Sequence, residues 1–291
     1  MLSPGRRQGM WCLSLLGDDA ICNQINFIFS PYVESRTHTK NGASLKSHMS
    51  KTNYLNLLIM TQRTILTCLI CLCIGLVANA QKLDKFGADL GKKSVMGKEI
   101  RVPYSDVVSY YGFIKPGATP DETRDGKKYY YLYMWVPVAA PEIGIRMVSP
   151  IPEGMKPVET DFTGADYAAN TGDIKSYFDT WITLERADGV TSPDAIMKGK
   201  TAKWFSFGSN DDSSELPAQP SGSKYNSVMR VTSETSNPTK ALVVGLYRIG
   251  FTTYKTGEVQ GGFVAQVGAP VKIPGVVINS SLDALMKLAN K

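Results

Sequence analysis

The chain has 291 residues, and its 32 Lys and Arg residues against 26 Asp and Glu residues give a formal net charge of +6. All five Cys and both His residues lie before Gln81, so the chain after that residue has no Ser-His-Asp triad, Cys nucleophile, thiolate zinc site or disulfide. Seven basic and three acidic residues also precede Gln81, which leaves a net charge of about +2 after it, too little to indicate a nucleic-acid partner.

The segment before Gln81 has the pattern of a secretory signal peptide at residues 60–80. Arg63 supplies a basic region, an apolar run of about a dozen residues follows from Ile65 to Leu76, and Ala78-Asn79-Ala80 forms an A-x-A cleavage site. The apolar run is too short to cross a bilayer unaided. We therefore expect the protein to be exported, without a transmembrane span in its mature chain.

The signal peptide predicts the domain organisation. Residues 1–59 have no sustained hydrophobic period, and we expect them to be a misassigned start or a disordered extension. Residues 81–291 are long enough for one sizeable core and are expected to form a single β-sandwich domain. Cys68, Cys71 and Cys73 follow Thr, Ile and Leu inside the apolar run, which is a poor context for lipid attachment. The expected location is the periplasm, the outer surface or the medium, without a lipid anchor.

The exported part reads as a series of short β-favouring runs separated by turn residues. Lys115-Pro116-Gly117 has the composition of a turn, and both alternating faces of Lys127–Val138 are apolar or aromatic, as in a central strand. The predicted strands are Val107–Ile114, Lys127–Val138, Gly144–Val148, Tyr177–Leu184, Lys203–Phe207, Ser227–Thr232, Ala241–Tyr254 and Gly261–Val267.

Local signals predict how these strands bend and end. Gly245 and Gly250 predict bulges or bends, and Thr256-Gly257 predicts a hairpin connection. A short helix is expected from a Ser192 cap to Gly199, and a last helix from a Ser280 cap. About eight strands with few helices and no βαβ alternation predict a mainly β fold, a jelly-roll β-sandwich with a few short peripheral helices.

Several long blocks of the sequence resemble one protein family. The blocks are Ser109–Gly117, Tyr129–Pro150, Phe178–Arg186, Lys224–Ser227, Gly245–Gly268 and Ile273–Val276, all in the same order. On these motifs the chain resembles the leptospiral major outer-membrane lipoprotein family, a family of surface lipoproteins, over nearly all of Ser94 to Val277. The resemblance implies a calcium-binding jelly roll at or near the cell surface, in a family associated with binding host extracellular-matrix proteins.

The resemblance also implies a set of calcium ligands. Asp179 and Thr180 stand at the Asp-Thr pair of a Phe-Asp-Thr-Trp motif, and Asp211 and Asp212 have the family spacing ahead of Lys-Tyr-Asn-Ser. We expect the three carboxylates to bind Ca²⁺ with help from Thr180 and the backbone carbonyl of Tyr225. The acidic loop is shorter than the aspartate run of the family, so we expect a dissociation constant of roughly 10⁻⁴ to 10⁻³ M.

The residues alone leave other interpretations open. Asp211 and Asp212 also fit a solvated loop, and Asp179 fits an edge strand. The favoured function is an exported calcium-binding surface or periplasmic protein, an adhesin-like binder of extracellular-matrix or other macromolecules, with a homodimer left open. One alternative is a structural cell-envelope protein without a ligand.

The other alternative is a carbohydrate-binding sandwich. It would use the aromatic stripe Tyr129, Tyr131, Tyr133 and Trp135, or Trp181 and Trp204, although strand aromatics commonly pack in cores. A glycosidase would need a carboxylate pair, for which Glu153, Glu159 and Asp161 are candidates. No spacing singles these acids out, so we expect no enzyme activity.

Overall fold

The structure is a computed structural model that describes residues 83, 86–255 and 257–291. The expected extension at residues 1–59, the expected signal peptide at 60–80 and Thr256 lie outside the described residues. Within the described part, no helix has the length and apolar character needed to cross a membrane.

The described chain is mainly β. Its strands are β1 (Lys93–Val95), β2 (Lys98–Ile100), β3 (Ser105–Ile114), β4 (Glu122–Arg124), β5 (Lys127–Val136), β6 (Glu142–Val148), β7 (Phe162–Thr163), β8 (Trp181–Ala187), β9 (Trp204–Asn210), β10 (Ser227–Thr232), β11 (Gly245–Thr252), β12 (Gly261–Ala269) and β13 (Val277–Asn279). The helices are two 3-10 helices, Ala168–Asn170 and Pro193–Lys200, and α1 (Leu282–Ala289). The expected short helix after Ser192 is therefore present as a 3-10 helix.

Two large sheets form a β-sandwich. The first sheet has the order β10-β6-β12-β3-β7, and the second has the order β13-β5-β11-β8-β9 with β4 added to β5 as a hairpin. The eight longest strands are β3, β5, β6, β8, β9, β10, β11 and β12. When these eight are renumbered 1 to 8 in chain order, the first sheet has the strand order 6-3-8-1 and the second has the order 2-7-4-5. This interleaving of two four-stranded sheets is the strand order of a jelly roll. The predicted fold class is confirmed.

The main core lies between the two sheets because side chains alternate along each strand. On β5, Leu132 and Met134 face inward and are completely buried, and they join Ile249 of β11 in one cluster with Met147 of β6 and Phe263 of β12. Burying one such side chain stabilises the fold by about 1.5–3 kcal/mol. Alternation along β5 thus supplies one complete wall of the core.

The outer face of the second sheet is also covered, at one end, by helices. Trp135 of β5 and Leu246 of β11 pack against Ile196 of the second 3-10 helix and against Leu282 and Leu285 of α1. Strand β5 lies between β11 and β13 in the sheet. It is the central strand, buried on both faces, that its sequence predicts.

The prediction that Gly245 and Gly250 mark bulges is wrong. The register of β11 with β5 runs from Gly245 to Phe251 without a shift, and its register with β8 continues through Gly250. Glycine avoids crowding at both positions, since a Cβ would lie 2.6 Å from Oγ1 of Thr183 at Gly250 and 3.1 Å from the carbonyl oxygen of Val190 at Gly245. The register instead shifts between β8 and β9 beside Gly208, whose φ is +134°.

Two predicted details near the C-terminal end are also wrong. The connection through Gly257 is not a hairpin, because β11 lies in the second sheet and β12 in the first. The N-cap of α1 is Ser281, whose Oγ accepts a hydrogen bond from Ala284 N at 3.5 Å. Ser280 instead accepts a hydrogen bond from the Tyr110 hydroxyl at 3.1 Å.

Two strands are displaced or shortened where loops compete for the backbone. The predicted Tyr177–Leu184 runs instead from Trp181 to Ala187, because Thr180 N donates to the carbonyl of Tyr225 outside the sheet. The predicted Ala241–Tyr254 is shortened to Gly245–Thr252, since Leu242 N donates to the Ser233 hydroxyl.

Candidate metal centre at one end of the sandwich

The antiparallel pairing of β8 and β9 brings the predicted acidic residues to the same end of the second sheet. Ile182, near the start of β8, is paired with Asn210, the last residue of β9. Asp179 directly precedes Thr180 and β8, and Asp211 directly follows β9. Acidic positions about thirty residues apart in sequence therefore become neighbours at one end of the sandwich.

Hydrogen bonds connect a third segment, ahead of β10 in the first sheet, to this end. Thr180 N donates to the carbonyl oxygen of Tyr225 at 2.9 Å, and its Oγ1 lies 2.8 Å from Oγ of Ser227. The Ser227 hydroxyl also forms short hydrogen bonds with the carbonyl oxygens of Thr180 and Asp211. The structure thus brings together four of the predicted residues, Asp179, Thr180, Asp211 and Tyr225, and Asp212 is the next residue of the same loop.

The carboxylate of Asp179 is in an unfavourable environment for a negative charge. The residue is half-buried, and its Oδ1 is buried without a hydrogen-bond partner. Burial, reinforced by the nearby Asp212 and Asp211, raises the pKa of Asp179 to about 6, while Lys255 acts in the opposite direction. Burial and Asp211 also raise the pKa of Asp212. A bound cation would reverse both effects, since it replaces repulsion between like charges with attraction.

The donor atoms at this end suit a hard cation. Carboxylate, hydroxyl and carbonyl oxygens are the ligands that Ca²⁺ takes. Among the residues that the structure describes, no group of three or more His, Cys, Asp and Glu is arranged to hold a metal ion. The three carboxylates are thus close enough to repel one another without converging on one point. A bound ion would have to draw the carboxylates together, or uncharged oxygens would have to complete its coordination.

Tyr225 is the predicted ligand whose carbonyl is already occupied. It accepts hydrogen bonds from Thr180 N at 2.9 Å and Thr180 Oγ1 at 3.2 Å, with Gln219 Nε2 at 3.5 Å. A carbonyl oxygen has two lone pairs, so coordination of an ion would displace at least one of these donors. The contribution of Tyr225 to an ion site stays a prediction.

Asn210 is a residue of this end that the sequence reasoning missed. Its Oδ1 is buried without a hydrogen-bond partner, as Oδ1 of Asp179 is. An amide oxygen is a suitable neutral ligand for calcium. The available signal was an amide residue directly before the acidic pair, but a side-chain oxygen without a partner is recognisable only in three dimensions.

The aromatic stripe of β5 does not form an exposed platform. Tyr129, Tyr131 and Trp135 are buried, and Tyr133 is only partly exposed. Trp181 lies at the acidic end, where its ring centroid is 5.6 Å from that of Tyr254.

The three candidate catalytic acids lie in the loop between β6 and β7. Asp161 accepts a hydrogen bond from Val158 N at 2.9 Å, which stabilises a turn, and Glu153 and Glu159 are exposed. Glu153 borders a cavity of about 570 Å³ whose walls otherwise include Met155 and Tyr167. The arrangement singles out no acid–base pair in this loop.

Comparison with known protein families finds a match for this chain. The family described as surface lipoproteins of the order Spirochaetales matches residues 98–278, which is more than half of the chain. The matched range contains both sheets from β3 through β12 and all five predicted ligand residues. No curated protein matches the chain.

Proposed function

The chain belongs to the family of surface lipoproteins of the order Spirochaetales, and on that premise we propose that it is an exported cell-envelope protein that binds Ca²⁺ at the acidic end of the sandwich. The observation that carries the proposal is Asp179, a half-buried carboxylate with an unpartnered oxygen, repelled by Asp211 and Asp212. Thr180 and the unpartnered Asn210 oxygen supply neutral donors beside these acids.

Calcium bound there would act as a cross-link between the sheets. Asp179 leads into β8 and Asp211 follows β9 in the second sheet, whereas Tyr225 leads into β10 of the first. A cation held by these segments adds an attraction that the unfolded chain lacks. A ligand that binds only the folded state stabilises it by RT ln(1 + [L]/Kd), which is about 2.7 kcal/mol at a hundredfold excess over Kd.

Thermal unfolding tests the calcium proposal. With the dissociation constant expected above, 10 mM calcium should raise the Tm by several degrees relative to EDTA, since 1 kcal/mol shifts the Tm of a domain of this size by about 2–4 °C. The double variant Asp211→Ala with Asp212→Ala should lose this rise. The matched control, Asp188→Ala with Asp194→Ala, removes two exposed acids near the other end of β8 and should keep it.

The result that would overturn the proposal is a Tm that responds to neither calcium nor EDTA. A structural envelope protein without a metal would then be the preferred function. A calcium-dependent rise that survives in the Asp211→Ala, Asp212→Ala variant would place the ion elsewhere and contradict the ligand assignment.

The same end is our candidate surface for a macromolecular partner. Tyr225 and Tyr254 are 43% and 48% exposed, and the exposed Lys224 and Lys255 adjoin them in sequence. Exposed tyrosines are typical anchors of protein interfaces. We propose that extracellular-matrix or other surface macromolecules bind here. Binding to immobilised matrix proteins should weaken in Tyr225→Ala with Tyr254→Ala, and unaltered binding would contradict this assignment.

A further inference from the structure

A second candidate site lies on the outer face of the second sheet. Arg124 of β4 covers the rings of Tyr129 and Tyr131 at one end of this face, and the second 3-10 helix and α1 cover the other. Between the two covers is a cleft of about 460 Å³ whose lining includes Tyr133, Trp204, Arg248, Glu122 and Ser281. This polar cleft with aromatic walls has no role in the calcium proposal.

Arg248 is the fixed element of the cleft. Its guanidinium carbon lies 4.1 Å from the ring centroid of Tyr131 and 4.2 Å from that of Trp204, so the guanidinium lies between two aromatic rings. Its Nε donates to Glu185 Oε2 at 2.5 Å. The side chain is only 10% exposed, so its position is set by packing on three sides.

The terminal nitrogens of Arg248 are left available. Within the described residues the one hydrogen bond found from the Arg248 guanidinium is that of Nε, and Glu122 Oε2 lies 3.9 Å from Nη2. A guanidinium has five N–H groups, of which the Glu185 contact uses one. Because Arg248 lines the cleft, a polar ligand bound there would accept hydrogen bonds from the remaining N–H groups.

The charges around Arg248 favour a neutral ligand. Glu122 and Glu185 pair with the guanidiniums of Arg124 and Arg248, so these four charges balance. Asp121, Asp283 and Lys200 also line the cleft and leave no excess of positive charge to attract an anion. A cationic ligand is also disfavoured, because Arg248 itself fills the space between Tyr131 and Trp204. A ligand without net charge that offers both donors and acceptors meets these conditions.

The aromatic walls narrow the class of ligand further. The partly exposed rings of Tyr133 and Trp204 have centroids 6.3 Å apart and are tilted by 44°. Such rings bind the apolar face of a saturated ring, while the Glu122 carboxylate and the Ser281 hydroxyl can pair with hydroxyl groups at its rim. We propose that this cleft binds a neutral sugar residue, with Arg248 donating to ring or hydroxyl oxygens.

The sugar site is separate from the calcium site. Trp204 begins β9, whereas Asn210 and Asp211 lie at the other end of that strand. Sugar binding should therefore be the same in calcium and in EDTA. This makes the proposal testable whatever the outcome of the calcium experiment.

Tryptophan fluorescence and a glycan array test the proposal. Array-bound neutral glycans should identify a ligand, and its titration should change the emission of the full chain. Trp204→Phe should abolish this change and Arg248→Lys should weaken binding at least about tenfold, because lysine lacks the planar fork. The matched control is Trp181→Phe at the opposite end of the same sheet, which should bind normally.

Tyr133 is partly exposed, so its substitution separates a loss of binding from a loss of folding. Tyr133→Ala should weaken binding while the circular dichroism spectrum and Tm stay close to those of the wild type. The proposal is overturned if the folded wild type binds no neutral glycan, if it binds only sulfated or phosphorylated glycans, or if Trp204→Phe binds as the wild type does.

Discussion

Asp179 is the residue on which the calcium proposal depends most. Its pKa of about 6 means that a proton and a calcium ion compete for the same carboxylate in the range between neutral pH and pH 5. In the absence of metal, the folded-state pKa is above the unfolded value of 3.8. The resulting stabilisation by protonation is fully present below pH 3.8 and is lost as the pH rises through about 6.

This competition gives a pH prediction. Calcium affinity of the wild type should fall roughly tenfold between pH 7.5 and pH 5, because binding must then displace a proton from Asp179. Calcium-free Asp179→Asn should be more stable than the calcium-free wild type at pH 7.5 and about equal to it at pH 4, because only the wild type acquires the charge. Calorimetric titration and thermal unfolding measure the two effects.

The control for this pair of measurements is Asp188→Asn, which changes an exposed carboxylate at the other end of β8. It should leave both pH dependences unchanged. A calcium affinity that is constant from pH 7.5 to pH 5 would show that Asp179 does not bind the ion.

At the scale of single residues, the sequence predicted which residue types form the site better than it predicted which residues contact one another. The motif resemblance brought Asp179 and Asp211 into one site, and the fold places them at the same end of the sandwich. Arg248 and Glu185 are 63 positions apart in sequence, and only strand pairing makes them partners. Such cross-strand contacts are not predictable until the register is known.

Among the elements, strands were predictable from alternation and their ends were not. The bounds of β10 match the predicted Ser227–Thr232, whereas β8 begins four residues later than predicted. A hairpin signal was present at Asp125-Gly126, with φ of +49° and +77°, and it forms the β4–β5 connection. Strand ends depend on loop hydrogen bonds from distant segments, which local patterns do not contain.

Gly261, the first residue of β12, lies close to the loop that leads to the calcium site. At its φ of +102°, a Cβ would lie 1.9 Å from the carbonyl oxygen of Ser176, in the loop that leads to Asp179. Gly172 has a similar φ of +106° with open space around its Cβ position. A substitution at either glycine would therefore strain the backbone. Only at Gly261 would the added Cβ also collide with neighbouring atoms.

We predict that Gly261→Ala lowers the free energy of unfolding by about 1–3 kcal/mol more than Gly172→Ala, the difference being the cost of overpacking. Urea unfolding of the two variants measures it. Equal losses in both variants would contradict the close approach of β12 to the Ser176 loop.

At the scale of the whole molecule, the jelly roll explains why the site could be assembled from distant segments. Consecutive strands often lie in opposite sheets, so loops from both sheets meet at each end. The strand count and the lack of βαβ order predicted a sandwich, but the sheet to which each strand belongs was not predictable. The Gly257 connection illustrates this, because its composition suits a hairpin although it crosses between sheets.

The export expectation is a prediction about the whole chain. The family is described as surface lipoproteins, yet the contexts of Cys68, Cys71 and Cys73 are poor for acylation. We predict that the native protein begins at Gln81 without a lipid, which intact mass spectrometry of the envelope fraction measures. A mass that includes acyl chains on an N-terminal cysteine would contradict this prediction.

The most direct test of the central claim is the position of the ion itself. Crystals of the protein grown with calcium, analysed by anomalous scattering, should contain one ion at the acidic end of the sandwich. We predict that it lies about 2.3–2.6 Å from carboxylate oxygens of Asp179 and of Asp211 or Asp212. An ion bound only elsewhere, or no ion at saturating calcium, would contradict the account.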